Sequence, residues 1–368
     1  MDTFAFIIHP IDPKRDVSRK YPFLGRYLSV GLINFFSTFF PPVYLSEVGG
    51  IRSAATGKRI KGWLIACPLT STRMLELPVR IAYAKIIQTG RLAERLGADI
   101  LGLGAFTSVV GDGGKTVAAA LDVPVTTGDA YTVSVAVQAI RDAAALLAIP
   151  LEQATAAVVG ATGAIGRVCS QMLANDVETL YLIGRTPQKL GQLDAELRDQ
   201  ARAKLITSLD ASDVRHAQLI LTVSSAAQAI IQPEHLRPGS VICDVARPRD
   251  VSAQVASARD DVLVIDGGMV EVPGPVNFNF DFGFPPGKAY ACMAETMALA
   301  LEGRFEDYTV GKEISRQQVD AITRIATRHG FRLSGFRSFE KPVSQEKIEH
   351  VRQHALKNLS IKRHTNSR

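Results

Sequence analysis

Short β-branched apolar runs alternate along this chain with longer stretches whose apolar residues recur every three to four positions, the pattern of an α/β protein. The alternation is most regular from Thr155 onward. Strands are predicted at 155–159, 179–183, near 203–206, and at 218–223, 240–244 and 262–265, with helices opening at Ile165 and over 187–199. That order predicts a Rossmann-type, doubly wound dinucleotide-binding sheet. Upstream, strands at 5–9, 60–67, 98–103 and 123–127 and a helix over 75–96 predict an N-terminal α/β domain, while 12–19 reads as charged turn residues. An alanine-rich helix follows Gly128 to Thr132 and ends near Ile149-Pro150, and beyond Lys288 the pattern is helical at 290–301, 315–329 and 345–359. The expected organisation is a substrate domain over 1–130, a connecting helix over 131–150, a Rossmann domain over 151–288 and a helical C-terminal region with a basic tail over 289–368.

The most informative run is Val158 to Arg167, VVGATGAIGR, where a strand passes into a helix through three glycines spaced three apart. Gly160 permits the tight turn, Gly163 lets main-chain N–H groups approach a pyrophosphate, and Gly166 allows close packing of helix on strand. The residues expected to hold the phosphates are therefore Gly160, Thr162, Gly163, Ala164, Ile165 and Gly166. The next strand ends in Gly184-Arg185-Thr186, where an enzyme using a free ribose 2′-hydroxyl would carry a carboxylate. Arg185 and the Thr186 hydroxyl suit a 2′-phosphate instead, so NADPH is the expected cofactor. Ser224 and Ser225 follow a strand's C-terminal end, where cofactors bind in open α/β sheets, and the same argument covers 244–247 and Gly267-Gly268.

Between residues 28 and 45, Phe35, Phe36, Phe39 and Phe40 crowd into six positions just before Pro41-Pro42. Core packing and an apolar wall for a long hydrophobic ligand are both open readings. Asn34 and the prolines interrupt the stretch, so no transmembrane segment is expected.

The net charge of +6 and pI near 9.1 suit an acidic partner or substrate. No aromatic-interleaved basic motif or zinc-knuckle spacing points to nucleic acid. Residues 341–368 carry seven Lys or Arg against two Glu, the composition of a solvated helix and tail. His350 and His354 share a helical spacing but have no third ligand nearby, so no metal site is expected.

Four cysteines without a CxxC pair, and no signal peptide, predict free thiols in a reducing, cytoplasmic compartment. Cys169 and Cys243 lie in core patterns, and Cys67 ends a strand before Pro68. Cys292 follows the loop Phe284-Pro285-Pro286-Gly287-Lys288 and falls in the first turn of a helix, where the dipole lowers a thiol pKa and Lys288 would add to the effect. Such a thiolate accepts an acyl group as a thioester, with the turn's N–H groups holding the oxyanion. On residue physics alone an inert helical cysteine stays equally open.

The chain also resembles the long-chain acyl-ACP reductases of cyanobacteria. The matching stretches are Asp16-Val17-Ser18-Arg19, Ser53-Ala54-Ala55-Thr56-Gly57-Lys58, Leu103 to Ser108, Thr126-Thr127-Gly128, Val158 to Gly166, Asp266-Gly267-Gly268, Ala291-Cys292-Met293-Ala294-Glu295 and Arg328-His329-Gly330-Phe331. The resemblance implies a substrate domain, an NADPH domain and a helical C-terminal part. It places the catalytic cysteine at Cys292 and implies attack on an acyl-ACP or acyl-CoA thioester, then reduction of the enzyme-bound acyl group to a fatty aldehyde. It further implies an acidic carrier as partner, with an aldehyde-consuming partner enzyme as a possible recipient. The chain departs from the family at Asp129, where the family carries Asn. It departs again at Asp244-Val245-Ala246-Arg247-Pro248, which looks more like the corresponding segment of glutamyl-tRNA reductases, and after about residue 336. Two other readings compete: a shikimate- or amino-acid-type NADP-dependent dehydrogenase acting on a small polar substrate, and a nucleotide-binding module without catalysis.

Overall fold

The computed structural model describes residues 1–226, 228–246, 248–339 and 341–366. From the N-terminus the chain forms β1 (Thr3–Ile8), α1 (Pro13–Lys20), α2 (Pro22–Tyr27), α3 (Val30–Ser37), β2 (Val43–Arg52), β3 (Arg59–Ala66), α4 (Ser71–Glu76) and α5 (Val79–Leu96). There follow β4 (Leu101–Leu103), α6 (Phe106–Val109), α7 (Lys115–Ala118), β5 (Val125–Thr126), α8 (Asp129–Leu146), β6 (Thr155–Val159), α9 (Ala164–Leu173), β7 (Thr179–Ile183), α10 (Pro187–Arg198) and β8 (Lys204–Ser208). The remainder is β9 (Leu219–Thr222), β10 (Val241–Asp244), α11 (Ala253–Ala258), β11 (Leu263–Asp266), β12 (Met269–Glu271), β13 (Lys288–Tyr290), α12 (Ala291–Glu302), α13 (Arg316–His329), β14 (Arg332–Leu333), β15 (Arg337–Ser338), β16 (Lys341–Pro342) and α14 (Gln345–Asn366). The fold is α/β, with parallel sheets in both halves.

These elements gather into two compact units, each built from two stretches of chain. One comprises Met1–Thr132 with Met269–Ser334, the other Val133–Gly268 with Gly335–Arg368. The expected boundaries, which run along the chain one domain after another, differ from this division. The helices foreseen as one C-terminal region part company: α12 packs on β1, β3 and β4, whereas α14 packs on β11. The apolar face of α12 explains its choice, since every residue from Met293 to Leu301 is buried.

The first unit holds a sheet in the order β2-β3-β1-β4-β5, parallel except for β2. Its core runs from Ile7 and Ile65 through Leu101, Leu103 and Val125 to Ile86 on α5. Pro78 splits the single helix expected over 75–96 into α4 and α5, because proline has no N–H to continue a helical ladder. The charged stretch expected as turns forms α1: the Asp12 side chain caps it by accepting from Arg15 N–H, and Pro13 occupies the first turn. A small antiparallel sheet, β13-β12-β14, also lies in this unit; β12 comes from the stretch expected as Rossmann domain, and β13 and β14 from the start of, and from within, the region expected to be helical.

The second unit is the Rossmann-type domain, with six parallel strands in the order β11-β10-β9-β6-β7-β8. Numbered within the unit this is the reversed 3-2-1-4-5-6 order, with its switch point at β6 and β9. Strands such as Val241–Asp244 are wholly buried, as a parallel sheet covered on both faces requires.

Two buried histidines brace the first unit. His329 contacts Ser53 Oγ through Nδ1 (2.8 Å) and Glu302 through Nε2 (2.9 Å), tying the end of α13 to the β2–β3 turn and to the end of α12. His9 accepts the Phe106 N–H at Nε2 (3.1 Å), which steadies Ala105 at φ 48, an unusual value for a residue with a Cβ. Burial pushes the His9 imidazole down to about 4. A depressed histidine keeps the fold stable above its unfolded value and loses that contribution as pH falls from 6.5 toward 4, by as much as about 3 kcal/mol. Urea unfolding across this window should show that loss, and His9→Phe should flatten it.

Candidate active site

The phosphate turn folds as its glycines dictate. Gly160 has φ +84 at the end of β6, and a Cβ there would lie 3.0 Å from the Ser224 backbone. At Gly166 a Cβ would meet the Gly160 carbonyl oxygen at 2.1 Å, so α9 packs against the turn only because that atom is absent. Gly163 is the N-cap of α9 and no side chain caps the helix, which leaves the first-turn N–H groups of Ala164, Ile165 and Gly166 without an intrahelical acceptor. Unpaired N–H groups at the positive end of a helix are an anion cradle, and the cradle fits a pyrophosphate. Thr162 stands at its rim, its methyl within 3.5 Å of where a Gly184 Cβ would be.

Gly184 leads to Arg185, which is exposed and makes no described ion pair, and to Thr186, the N-cap of α10, whose hydroxyl makes no capping bond. Both side chains are available to a 2′-phosphate. Ser224 is held differently: its hydroxyl donates to Asp250 (2.5 Å) and its N–H to the same carboxylate (2.9 Å), while Ser225 is exposed. Asp244 is fully buried and organises the loop after β10, accepting from Thr222 Oγ1, Ala246 N–H and Val251 N–H. Arg247 of that loop lies outside the described residues. Gly267 packs against Cys243 and Val245.

In the first unit Cys292 sits in the first turn of α12, half-buried, with Tyr290 as N-cap. Gly128 lies against it. With φ +77, Gly128 stands where a Cβ would come within 2.2 Å of the Cys292 Cα. One turn along α12, Glu295 is completely buried and accepts from Thr126 Oγ1 (2.5 Å), Thr309 Oγ1 (2.8 Å) and Tyr131 N–H (2.8 Å). Thr309 adopts φ 53, strained for a β-branched residue, and its carbonyl accepts from Thr127 Oγ1 (2.8 Å). Asp129, next to Gly128, opens α8.

The electrostatics correct the expectation of an acidic thiol. Burial and the neighbouring Asp129 push Cys292 up to about 12, although the N–H groups of Met293 and Cys292 itself pull the other way. Lys288 does not help, because its ammonium donates to the Ser334 carbonyl (2.8 Å). Burial, and then the charge of Glu295, raise Asp129 to about 7. Burial also raises Glu295 against the three donors that hold its charge. The site thus pairs a protonated thiol with a carboxyl poised to titrate near neutrality.

Sequence reasoning named Cys292 but gave no role to Glu295, Gly128 or Thr309. The i, i+3 spacing of Cys292 and Glu295 was the available signal. The other cysteines are buried, and burial raises Cys67 to about 11 and Cys169 to about 12. His350 and His354 stack edge to face at 5.0 Å, and no cluster able to hold a metal occurs among the described residues. Phe35, Phe36, Phe39 and Phe40 are between 38% and 69% exposed, which removes the core-packing reading. Instead Phe278, Phe282, Phe284 and Tyr290 form a chain of edge-on aromatic contacts (4.9, 4.9 and 4.3 Å) leading to the helix that carries Cys292.

A Rossmann-type sheet with this glycine turn is a dinucleotide-binding fold, and residues 142–266 match the shikimate/quinate 5-dehydrogenase family model, which places the chain among NADP-binding oxidoreductases. The chain is 31% identical over 345 residues to the long-chain acyl-[acyl-carrier-protein] reductase of Synechococcus elongatus, covering 89% of this chain and 98% of that one. It belongs to the long-chain acyl-ACP reductase family, and its cofactor is NADPH. It is also 32% identical over 305 residues to the aminotransferase PigE of a Serratia species, covering 82% of this chain but spanning only 36% of PigE. Among solved structures, L-tryptophan dehydrogenase from Nostoc punctiforme aligns over 98% of this chain and 88% of that one at 12% identity and a TM-score of 0.39.

Removing the Asp129 charge should let the thiol ionise more easily. In Asp129→Asn, iodoacetamide should alkylate Cys292 several-fold faster at neutral pH, with the midpoint of the rate–pH profile moved down. Peptide mass mapping against time checks this. Gly128→Ala should destabilise the protein by about 2–5 kcal/mol in urea, through crowding plus a left-handed backbone that alanine resists.

Proposed function

We propose that the protein reduces a long-chain acyl thioester, carried by acyl carrier protein or coenzyme A, to the fatty aldehyde. The observation that carries this reading is the half-buried Cys292 thiol at a helix N-terminus, pressed on Gly128 and faced by a carboxyl that burial brings to about 7. Cys292 Sγ attacks the acyl carbonyl, with Asp129 taking up the thiol proton. The N–H groups of the first turn of α12 hold the developing oxyanion. A new S–C bond replaces the carrier's S–C bond, and the carrier departs as its thiol with the proton that Asp129 held. NADPH, which the N–H groups of the Gly160–Gly166 turn would hold, would supply the hydride that with one proton converts the acyl group to the aldehyde and restores the thiol.

The arrangement of this chain's own residues supports each assignment. Glu295, anchored by three donors, keeps α12 in register with Thr126 and Tyr131. The aromatic chain from Phe278 to Tyr290 offers apolar surface on which a long acyl chain lies at little cost. The net charge of +6 suits an acidic carrier protein. A sparingly water-soluble aldehyde is best passed on to an enzyme that consumes it.

Intact-mass spectrometry after mixing with acyl-ACP, without NADPH, should show one acyl group on the wild type and none on Cys292→Ala, which should also form no aldehyde. An acyl adduct or parental aldehyde rate in Cys292→Ala would overturn the covalent assignment. For the cofactor, Arg185→Ala should raise the KM for NADPH about 10- to 100-fold, as expected from losing a charge-assisted bond to the 2′-phosphate. Its KM for NADH should change little, and steady-state kinetics with both nucleotides separates the two cases.

A further inference from the structure

The aromatic surface of the first unit is left without a role by the proposed reaction. In α2 and α3 and the turn that follows, Phe23 is 77% exposed, Tyr27 71%, Phe39 69% and Phe35 55%. These rings rest on one another rather than on the core: Phe23 stacks on Tyr27, and Phe35 contacts both Phe36 and Phe39 at 5.4 Å. The segment is nevertheless firmly seated. On its inner side α3 buries Ile33 and Ser37, and Asn34 Oδ1 accepts from Thr70 Oγ1 (2.8 Å). Lys85 Nζ donates to the Phe40 carbonyl (2.9 Å), and Arg73 donates to Thr38 Oγ1 (3.3 Å). A fixed inner face therefore presents a fixed apolar outer face, and Leu75 in α4 and Val79 at the start of α5 are exposed as well. Exposed apolar patches of this kind mark contact surfaces.

The charges identify the contact. From Val17 to Ser46 the chain has no Asp or Glu, while Arg26 is basic, as is Lys20, whose ammonium donates to the Leu45 carbonyl (3.1 Å); Arg19 pairs with Asp16. Arg26 lies over the Tyr27 ring (5.7 Å), keeping its charge at the edge of the aromatic surface. The flanking acids are already engaged, Asp16 by Arg15 and Arg19 and Glu76 by Arg73. Short in-plane helices with Phe, Tyr and Leu outward and arginine or lysine beside them match the boundary between lipid headgroups and acyl chains. The bias toward cations matches an anionic leaflet. No described helix is long and apolar enough to cross a membrane, so attachment here is to the surface. We propose that the α2–α3 face docks this protein on anionic phospholipid bilayers.

The test is co-sedimentation of the full chain with vesicles of equimolar phosphatidylcholine and phosphatidylglycerol, against vesicles of phosphatidylcholine alone. The wild type should bind the mixed vesicles, several-fold more weakly as salt is raised, and bind the neutral ones poorly. Phe23→Ser combined with Phe35→Ser and Phe39→Ser should lower binding by at least about tenfold, while the urea midpoint stays close to the parent's because these rings are exposed. Arg26→Glu alone should weaken binding about tenfold, and only to the anionic vesicles. Absence of binding by the wild type, or undiminished binding by the triple serine variant, would overturn the proposal. So would a concentration-dependent dimer in analytical ultracentrifugation that the triple variant abolishes in a protein that ignores lipid, which would assign the face to a second copy of the chain.

Discussion

The buried carboxylate of Glu295 is the constraint on which the first unit's site depends. A carboxylate this far from water is tolerated only where donors replace its hydration, and here the donors come from three different places: the end of β5, the start of α8 and the strained turn at Thr309. Satisfying one ion therefore fixes the relative position of three segments around the first turns of α12. Burial works against ionisation throughout this cluster. With the neighbouring carboxyl groups adding to it, burial is why Asp129 holds its proton to near neutrality and the thiol holds its own far beyond, despite N–H groups at the helix start acting in the opposite sense.

Glycine serves opposite ends in the two units. At Gly160 and Gly166 the missing side chain keeps a concavity open, which leaves the peptide N–H groups at the start of α9 uncapped. At Gly128 it lets two backbone segments touch, closing space until Cys292 and the 128–129 turn share one wall. One use leaves donors open, the other sets the surroundings of the Cys292 thiol.

Much of this was legible in the sequence. The strands of the second unit follow their β-branched runs nearly residue for residue, because parallel strands buried on both faces carry an uninterrupted apolar signal. Short polar-framed elements were harder to read. The Asp12 cap and Pro13 encode α1, but its many charges mask them; β13 and β14 are two or three residues long and draw their stability from pairing with β12. The candidate nucleophile was visible from its place at the start of α12, yet its protonation was not. A dipole can be read from a helix boundary, whereas Asp129 and Glu295 reach the thiol only through tertiary packing. The phenylalanine cluster has the same lesson: composition announced an apolar role, and only the fold showed that it faces outward.

The interleaving of the two units has a consequence for synthesis. The bond from Tyr131 N–H to Glu295 spans 164 positions, and most of the second unit's chain is made in between. A ribosome therefore releases β1 to β5 long before α12 exists to cover them, and the donors at Thr126 and Tyr131 wait without their acceptor. The face that will receive α12 stays wet during that interval and is the part of the newborn chain most in need of protection from aggregation.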